Sequence, residues 1–169
     1  MEFETKVQFL TQPEHNRRTI VISDIHGHRA WLEKLLKKVD FSEKDILIIV
    51  GDMIEKGPES LNTIRYIMEL CEKYTVYPMM GNVDLWRIQM LLTEDGSLDQ
   101  ELYETNERMR QYWKATFFQD FCREAGVSVK TPEEIPAARE AVVAKFQKEL
   151  TFMKELPTIL VTPAFTFVH

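Results

Sequence analysis

Asp45-Ile46-Leu47-Ile48-Ile49-Val50-Gly51-Asp52 is the stretch of sequence that decides the fold. It places five consecutive apolar residues, most of them β-branched, between an aspartate and a glycine–aspartate pair. A short apolar run with turn residues at both ends is typical of a strand that is buried on both faces. The stretch therefore predicts a buried strand that ends at Gly51-Asp52.

Two similar runs flank this stretch. Thr19–Ser23 is followed by Asp24, and Tyr74–Met80 is followed by Gly81-Asn82. The segments between the runs carry apolar residues at helical spacing, which predicts one helix in each segment. Alternating strands and helices predict an α/β fold with a parallel sheet and right-handed crossovers.

Polar residues follow all three predicted strands. Asp24, Asp52 and Asn82 are 28 and then 30 residues apart, close to the length of one βαβ unit each. The carboxyl ends of parallel strands meet at one edge of the sheet, where open α/β folds bind their ligands. His26 lies two residues after Asp24 and adds a nitrogen ligand. Together these four side chains predict a site for two divalent metal ions (Mn, Fe or Zn), with the Asp52 carboxylate bridging them.

Three motifs carry a family resemblance, namely Asp24–Gly27, Gly51–Gly57 and Gly81–Asp84. In this order they resemble DxHG, GDxxDRG and GNHD/E, the signature of the calcineurin-like metallophosphoesterases. The likeness covers residues 19–84 and is closest to the protein serine/threonine phosphatase branch and to the symmetrical diadenosine tetraphosphate hydrolases. It implies an α/β/β/α sandwich, here incomplete and with a helical cap insertion. The implied reaction is in-line attack of metal-bound hydroxide on the phosphorus of a phosphoester.

The resemblance also implies a set of metal ligands. One ion would be bound by Asp24, His26 and Asp52. The other would be bound by Asp52, Asn82 and His169. His169 follows two predicted strands, as the corresponding histidine of the family does. The family's last metal-binding histidine, usually in a Gly-His motif, has no counterpart in this sequence, so we expect the chain to be truncated at its C terminus.

Three positions depart from the family pattern. Glu55-Lys56 stands where family members usually have Asp-Arg, and Val83 replaces a histidine that is thought to protonate the leaving group. We take Lys56 and Glu55 as candidate catalytic residues, with Lys56 as a phosphate contact. Valine cannot transfer a proton, and the loss of a general acid lowers a rate by about 10²–10⁴-fold. A phosphoanhydride or an aryl phosphate, which has a good leaving group, would suffer least.

Each candidate also has an ordinary structural interpretation. An aspartate often caps a helix, and Asp or Asn beside Gly is common in turns. Asp24 could cap a helix, Asp52 and Asn82 could be turn residues, and Asp84 could be a helix cap or a substitute acid. Lys56 could be a solvated surface lysine, and the side chain of Glu55 could face solvent. Among the histidines, His28 could make a local hydrogen bond, His169 could belong to a disordered end, and His15 could lie on the surface.

We predict a single domain over residues 1–169. Residues 19–84 would form the metal-binding βαβαβ core, residues 85–155 a helical insertion and residues 156–169 a strand hairpin. Within the insertion, the aromatic residues from Tyr112 to Phe121 lie close together in the sequence. Aromatic residues at helical spacing are more typical of a core than of a cofactor site, so we expect them to be buried.

Charge and composition exclude several classes of protein. The chain has 27 acidic and 21 basic residues and a net charge of -6, which argues against a nucleic-acid groove. Cys71 and Cys122 lack ligand spacing, which predicts reduced, buried thiols. No stretch approaches the length of a membrane span, and the first residues lack the apolar core of a signal peptide. We therefore expect no membrane association and a cytoplasmic location.

Three functional hypotheses follow. The leading one is a metal-dependent phosphoester hydrolase of the protein phosphatase type, which acts on a phosphorylated protein or a small phosphoester. The second is a nucleoside polyphosphate hydrolase of the diadenosine tetraphosphate type, which Val83 favours. The third is a truncated metal-binding phosphatase fragment without catalytic activity.

Overall fold

The structure, a computed structural model, describes residues 5–10, 17–93, 95–113 and 116–169. His15, predicted to lie on the surface, is outside these residues. Six strands lie in the described part of the chain: β1 (Val7–Phe9), β2 (Thr19–Ile22), β3 (Ile46–Val50), β4 (Thr75–Met79), β5 (Ile159–Val161) and β6 (Thr166–Val168). The same part contains seven α-helices: α1 (Arg29–Lys38), α2 (Ser60–Lys73), α3 (Asn82–Leu92), α4 (Asp99–Trp113), α5 (Phe117–Ala125), α6 (Ile135–Lys145) and α7 (Gln147–Lys154).

The first sheet consists of β2, β3 and β4 in that order, all parallel. Ile22 of β2 is paired with Ile49 of β3, and Val50 of β3 is paired with Met79 of β4. Helices α1 and α2 make the connections between these strands. The predicted α/β fold is therefore confirmed, and the carboxyl ends of the three strands lie at one edge.

The second sheet consists of β1, β5 and β6. β1 is parallel to β5, and β5 is antiparallel to β6, so the end of the chain forms a hairpin. The hairpin turn is closed by the amide of Thr162, which donates to the carbonyl of Phe165 at 2.8 Å. Sequence analysis did not identify β1, because it is three residues long and its partner β5 lies near the other end of the chain.

The buried core explains why β3 is apolar at every position. Ile46 and Ile48 form one face of β3 and pack with Leu160 of β5 in a cluster between the two sheets. Leu47 and Ile49, on the opposite face, pack against the helices and have no exposed surface. Full burial of such a side chain contributes about 1.5–3 kcal/mol. Burial on both faces therefore makes β3 the centre of the fold.

Helices α3 to α7 occupy most of residues 82–154, and α3 begins three residues before the predicted start of the helical segment at residue 85. Phe117 and Phe121 are fully buried, with ring centroids 4.5 Å apart, so these aromatic residues belong to the core. Tyr112 and Trp113 do not, since 73% and 49% of their surface is exposed. They lie in the last turn of α4, outside the packed interior. No helix in the described residues is long and apolar enough to cross a bilayer.

Both cysteines are free thiols. Burial raises the pKa of Cys71 to about 11 and that of Cys122 to about 12. A thiol needs to lose its proton to react as a nucleophile or to bind a metal. Cys122 is buried, as predicted, whereas Cys71 is only partly buried.

Candidate metal centre

The loops that follow β2 and β3 run side by side at the carboxyl edge of the first sheet. The amide of Asp24 donates to the carbonyl of Gly51 at 3.2 Å, and the amide of His26 donates to the carbonyl of Asp52 at 2.9 Å. A third bond, from Gly27 to the carbonyl of Met53, measures 2.7 Å. These main-chain bonds fix the two loops against each other and bring their side chains to a common point.

Backbone strain is concentrated in the same two loops. Among the described residues, six that are not glycine have positive φ angles: Asp24, His26, Asp40, Asp52, Glu55 and Lys56. All except Asp40, which follows α1, belong to these loops. Residues with side chains rarely adopt this conformation, and where they do, the surrounding structure imposes it and the position is often functional.

Three predicted ligands converge within coordinating reach of one another. One ligand atom each from Asp24, His26 and Asp52 lies within 4.8 Å of the others. Nε2 of His26 is 3.5 Å from Oδ1 of Asp24 and 3.7 Å from Oδ2 of Asp52. From the second sheet, Nε2 of His169 lies 3.3 Å from Oδ1 of Asp52. The two carboxylate oxygens of Asp52 therefore face two different imidazoles.

Hydrogen bonds orient both histidines for metal binding. Nδ1 of His26 lies 3.0 Å from the carbonyl of Ile54, and Nδ1 of His169 lies 2.8 Å from the carbonyl of Val50. A carbonyl only accepts, so we assign the ring proton to Nδ1, which leaves the lone pair on Nε2. This arrangement is typical of metal-binding histidines. The donor set and its orientation thus fit a divalent cation.

A lysine also contacts the candidate ligands. The ammonium of Lys56 lies 2.7 Å from Nε2 of His26, so Lys56 and a metal ion would compete for the lone pair of this nitrogen. The pKa of Asp24 is lowered, first by a hydrogen bond from Ser23 and further by the positive charge of Lys56. Asp24 is therefore a carboxylate at neutral pH.

The third motif packs directly against Asp52. A Cβ atom on Gly81 would lie 2.2 Å from the amide nitrogen of Asp52, so only glycine fits there. The amide of Val83, in the first turn of α3, donates to Oδ1 of Asp52 at 3.0 Å. Asn82 lies between these two residues and is exposed. Gly81 and Val83, on either side of Asn82, contact Asp52 through their backbone atoms. The role of Asn82 as a metal ligand stays a prediction.

A family model described as calcineurin-like phosphoesterase matches residues 17–142, about three quarters of the chain. The chain belongs to the calcineurin-like phosphoesterase family. The family predicted from the three motifs is therefore confirmed.

Curated relatives share the name bis(5'-nucleosyl)-tetraphosphatase, symmetrical. The protein from Buchnera aphidicola subsp. Schizaphis graminum is 45% identical over 65 residues, which are 38% of this chain and 23% of that protein. The protein from Shewanella loihica is 46% identical over 68 residues, covering 40% and 24% of the two chains. The protein from Coxiella burnetii is 34% identical over 92 residues, covering 54% and 30%. The matched segments thus span 23–30% of the length of these relatives.

A solved structure of a candidate diadenosine tetraphosphatase has a similar fold. It is 26% identical to this chain, with a TM-score of 0.55 over 98% of this chain and 55% of the other. The chain therefore spans about half the length of this neighbour. The expected protein phosphatase branch is not supported, because these relatives are tetraphosphatases, the type that sequence analysis named as an alternative.

Glu55 lies in the interior rather than at the metal centre. Its carboxylate accepts a hydrogen bond from Nε of Arg87 at 2.5 Å and another from the amide of Phe117 at 3.2 Å. Only 3% of the surface of Glu55 and of Arg87 is exposed. The solvent-facing interpretation of Glu55 is therefore wrong, and these contacts give its predicted catalytic role no support.

Arg87 is a residue that sequence reasoning missed. It lies on the same face of α3 as Ile88 and Leu91, which are both fully buried. A charged residue on an apolar helix face indicates a buried ion pair, since an isolated charge is costly to bury. This signal in the sequence could have predicted a buried acidic partner for Arg87, although it does not identify Glu55 as that partner.

Asp84 connects the second motif to the third. Its Oδ2 accepts from the amide of Gly81 at 3.0 Å, which caps α3 as one sequence-based alternative predicted. Its Oδ1 accepts from the amides of Met53 and Ile54, at 2.9 and 3.2 Å. Complete burial raises its pKa to about 6, with a smaller contribution from the charge of Asp52. Asp84 therefore positions the loop that carries Asp52.

Proposed function

We propose that this chain provides the metal centre of a calcineurin-like phosphoester hydrolase that acts on dinucleoside polyphosphates. The observation that carries the proposal is the Asp52 carboxylate, whose two oxygens face the Nε2 atoms of His26 and His169. A carboxylate between two oriented imidazoles is suited to bridge two cations. The names of the curated relatives support the substrate class.

The residues divide between two proposed ion positions. Asp24, His26 and Asp52 would bind one ion. Asp52, His169 and Asn82 would bind the other. Oxygen and nitrogen donors of this kind suit Mn, Fe or Zn. Such a pair of ions lowers the pKa of a bound water and neutralises the charge on a phosphoryl group.

Lys56 is the group of this chain that we assign to the phosphate. Its ammonium lies 2.7 Å from Nε2 of His26, beside the candidate metal ligands. A lysine binds phosphate as a point charge, without the two-point geometry of arginine. Lys56 would therefore attract and retain the charged substrate without fixing its orientation.

Val83 favours an anhydride as the bond that is broken. Its side chain cannot donate a proton to the leaving group, although its amide orients Asp52. A nucleoside polyphosphate leaves as a stabilised anion, whereas the serine alkoxide of a phosphoprotein requires a proton. Since general acid catalysis contributes about 10²–10⁴-fold, its loss weighs against a phosphoserine substrate.

A comparison of two substrates tests this proposal. The purified chain is incubated with Mn²⁺ and either diadenosine tetraphosphate or a phosphoserine peptide, and the products are separated by chromatography. We expect the dinucleotide to be hydrolysed with ADP as the product. A chelator should stop the reaction, and added Mn²⁺ should restore it.

Two results would contradict the proposal. Faster hydrolysis of the peptide would favour the protein phosphatase hypothesis over the dinucleoside polyphosphate hydrolase. Binding of Mn²⁺ without hydrolysis of either substrate would support a metal-binding fragment without catalytic activity.

A further inference from the structure

A pocket of ≈ 460 Å³ opens beside the candidate metal centre. Its lining includes the polar residues Asp24, His26 and Lys56 and the apolar residues Trp31, Leu35 and Trp113. Volumes of about 300–1,000 Å³ are typical of sites for small molecules. The pocket therefore continues the candidate metal centre into a space with an apolar wall.

Trp31 forms the part of this wall that comes from the helix after the loop of Asp24 and His26. It lies in α1, and 71% of its surface is exposed. Its ring lies 5.1 Å from the ring of His28, whose Nδ1 is 3.2 Å from the carbonyl of Ile25. The local hydrogen bond predicted for His28 is thus present, and it anchors the aromatic pair to the loop that carries Asp24 and His26.

Trp113 forms the part of the wall that belongs to the helical insertion. It lies at the end of α4 and is 49% exposed, although its aromatic neighbours Phe117 and Phe121 are fully buried. Leu35, on the same wall, is 41% exposed. Large apolar side chains that remain exposed together often mark a binding surface. Two separate segments of the chain therefore contribute exposed indoles to one pocket.

We propose that this pocket is a nucleobase subsite, in which Trp31 and Trp113 stack on a base of the nucleotide substrate. The inference rests on the proposed function and adds the group that recognises the nucleoside. Exposed aromatic side chains stack on any base, because every base has a π-face. Lys56 and the metal ligands would bind the phosphates on the other side of the same pocket, so one nucleotide spans both.

The charge distribution favours a nucleotide over an apolar ligand. The pocket is lined both by the ammonium-bearing Lys56 and by the indoles of Trp31 and Trp113. A ligand that matches both kinds of group carries negative charge and a flat ring. A nucleoside polyphosphate has this chemistry, whereas inorganic polyphosphate lacks the ring.

Isothermal titration calorimetry with two ligands tests the subsite without requiring turnover. A methylene-bridged, non-hydrolysable diadenosine tetraphosphate is compared with inorganic tripolyphosphate, both with Mn²⁺ present. Stacking predicts that the dinucleotide binds on the order of tenfold to a hundredfold more tightly. Trp31→Leu and Trp113→Leu should each reduce this preference, and Trp31→Phe should retain most of it.

Tyr112→Leu is the matched control, because Tyr112 is adjacent to Trp113 and is 73% exposed. It should leave the preference unchanged. Equal affinity for both ligands in the unaltered chain would overturn the subsite, as would equal losses in Tyr112→Leu and Trp113→Leu.

The outcome is independent of hydrolysis. A preference for the dinucleotide that depends on Trp31 supports the subsite even if the chain hydrolyses nothing. If diadenosine tetraphosphate is hydrolysed in a metal-dependent reaction but its affinity is the same in the Trp31 and Trp113 variants, the subsite is refuted. The proposed function would still stand.

Discussion

The first and second sheets both bring residues to the candidate metal centre, but they position them in different ways. The central strand of the first sheet, β3, is covered on both faces, and the loops that carry Asp24, His26 and Asp52 are joined by main-chain hydrogen bonds. The second sheet has strands of three residues, and Phe9 of β1 is 66% exposed. It contributes His169, which bonds to the carbonyl of Val50.

This difference indicates how each ligand depends on the rest of the fold. Asp52 is fixed by the core and by the amide of Val83, so its position changes only if the first sheet is disrupted. His169 depends on the docking of the second sheet, in which Leu160 is the fully buried residue of β5. We therefore expect changes in the first sheet to have the larger effects.

Asp52→Asn should have the largest effect. It replaces the proposed bridging carboxylate with a neutral group, and we expect metal-dependent hydrolysis to fall by about 10⁴-fold, equivalent to about 5 kcal/mol. Mn²⁺ binding, measured by calorimetry, should be lost as well. Asp45→Asn is the matched control, since Asp45 is also buried but precedes β3 at its opposite end. Retained Mn²⁺ binding in Asp52→Asn would refute the bridging role.

Arg87→Leu should have the next largest effect, on stability. It leaves the carboxylate of Glu55 buried without its charged partner, which typically destabilises a protein by about 3–5 kcal/mol. Chemical unfolding of the variant measures this change. Replacing both partners, as in Glu55→Met with Arg87→Leu, should recover most of the loss. If the double variant is no more stable than the single one, the ion pair is not the cause.

The same contrast explains what the sequence could predict. Asp24, His26 and Asp52 follow apolar strands at regular intervals, and a parallel sheet necessarily gathers such positions at one edge. The pairing of β1 with β5 joins distant parts of the chain through very short strands, so local patterns do not contain it. His169 entered only through the family resemblance, for the same reason.

Two further features depended on packing between distant residues. The burial of Glu55 depends on Arg87 and on the amide of Phe117, and no periodicity links these positions. The exposure of Trp113 depends on where α4 ends, which its aromatic composition does not specify. Tertiary contacts of this kind decide between interpretations that are equally compatible with the local sequence.

His169→Ala should have an intermediate effect and tests the second sheet. Loss of one ligand or its orienting partner commonly weakens metal affinity by about 10–100-fold. Calorimetry with Mn²⁺ should therefore show one weakened site and one that still depends on Asp24 and His26. Leu160→Ala should weaken the same site, because it loosens the sheet that positions His169. An unchanged second site in both variants would show that the second sheet does not contribute to metal binding.

Lys56→Gly should have the smallest effect on stability and the opposite sign. Lys56 has a φ of 67°, which is strained for a side-chain residue and free of strain for glycine. We expect an increase of about 0.5 kcal/mol in the free energy of unfolding, because the relief of strain exceeds the greater flexibility of glycine in the unfolded chain. Hydrolysis should fall, because the proposed phosphate contact is lost.

Asp40→Gly separates the two effects of that substitution. Asp40 has a φ of 49° but lies after α1, away from the strained loops of the metal centre. It should give a similar gain in stability and leave hydrolysis unchanged. Lys56→Gly could also be stabilised as predicted and remain fully active. The strain at position 56 would then have no functional role, and Lys56 would be the solvated surface lysine of the alternative interpretation.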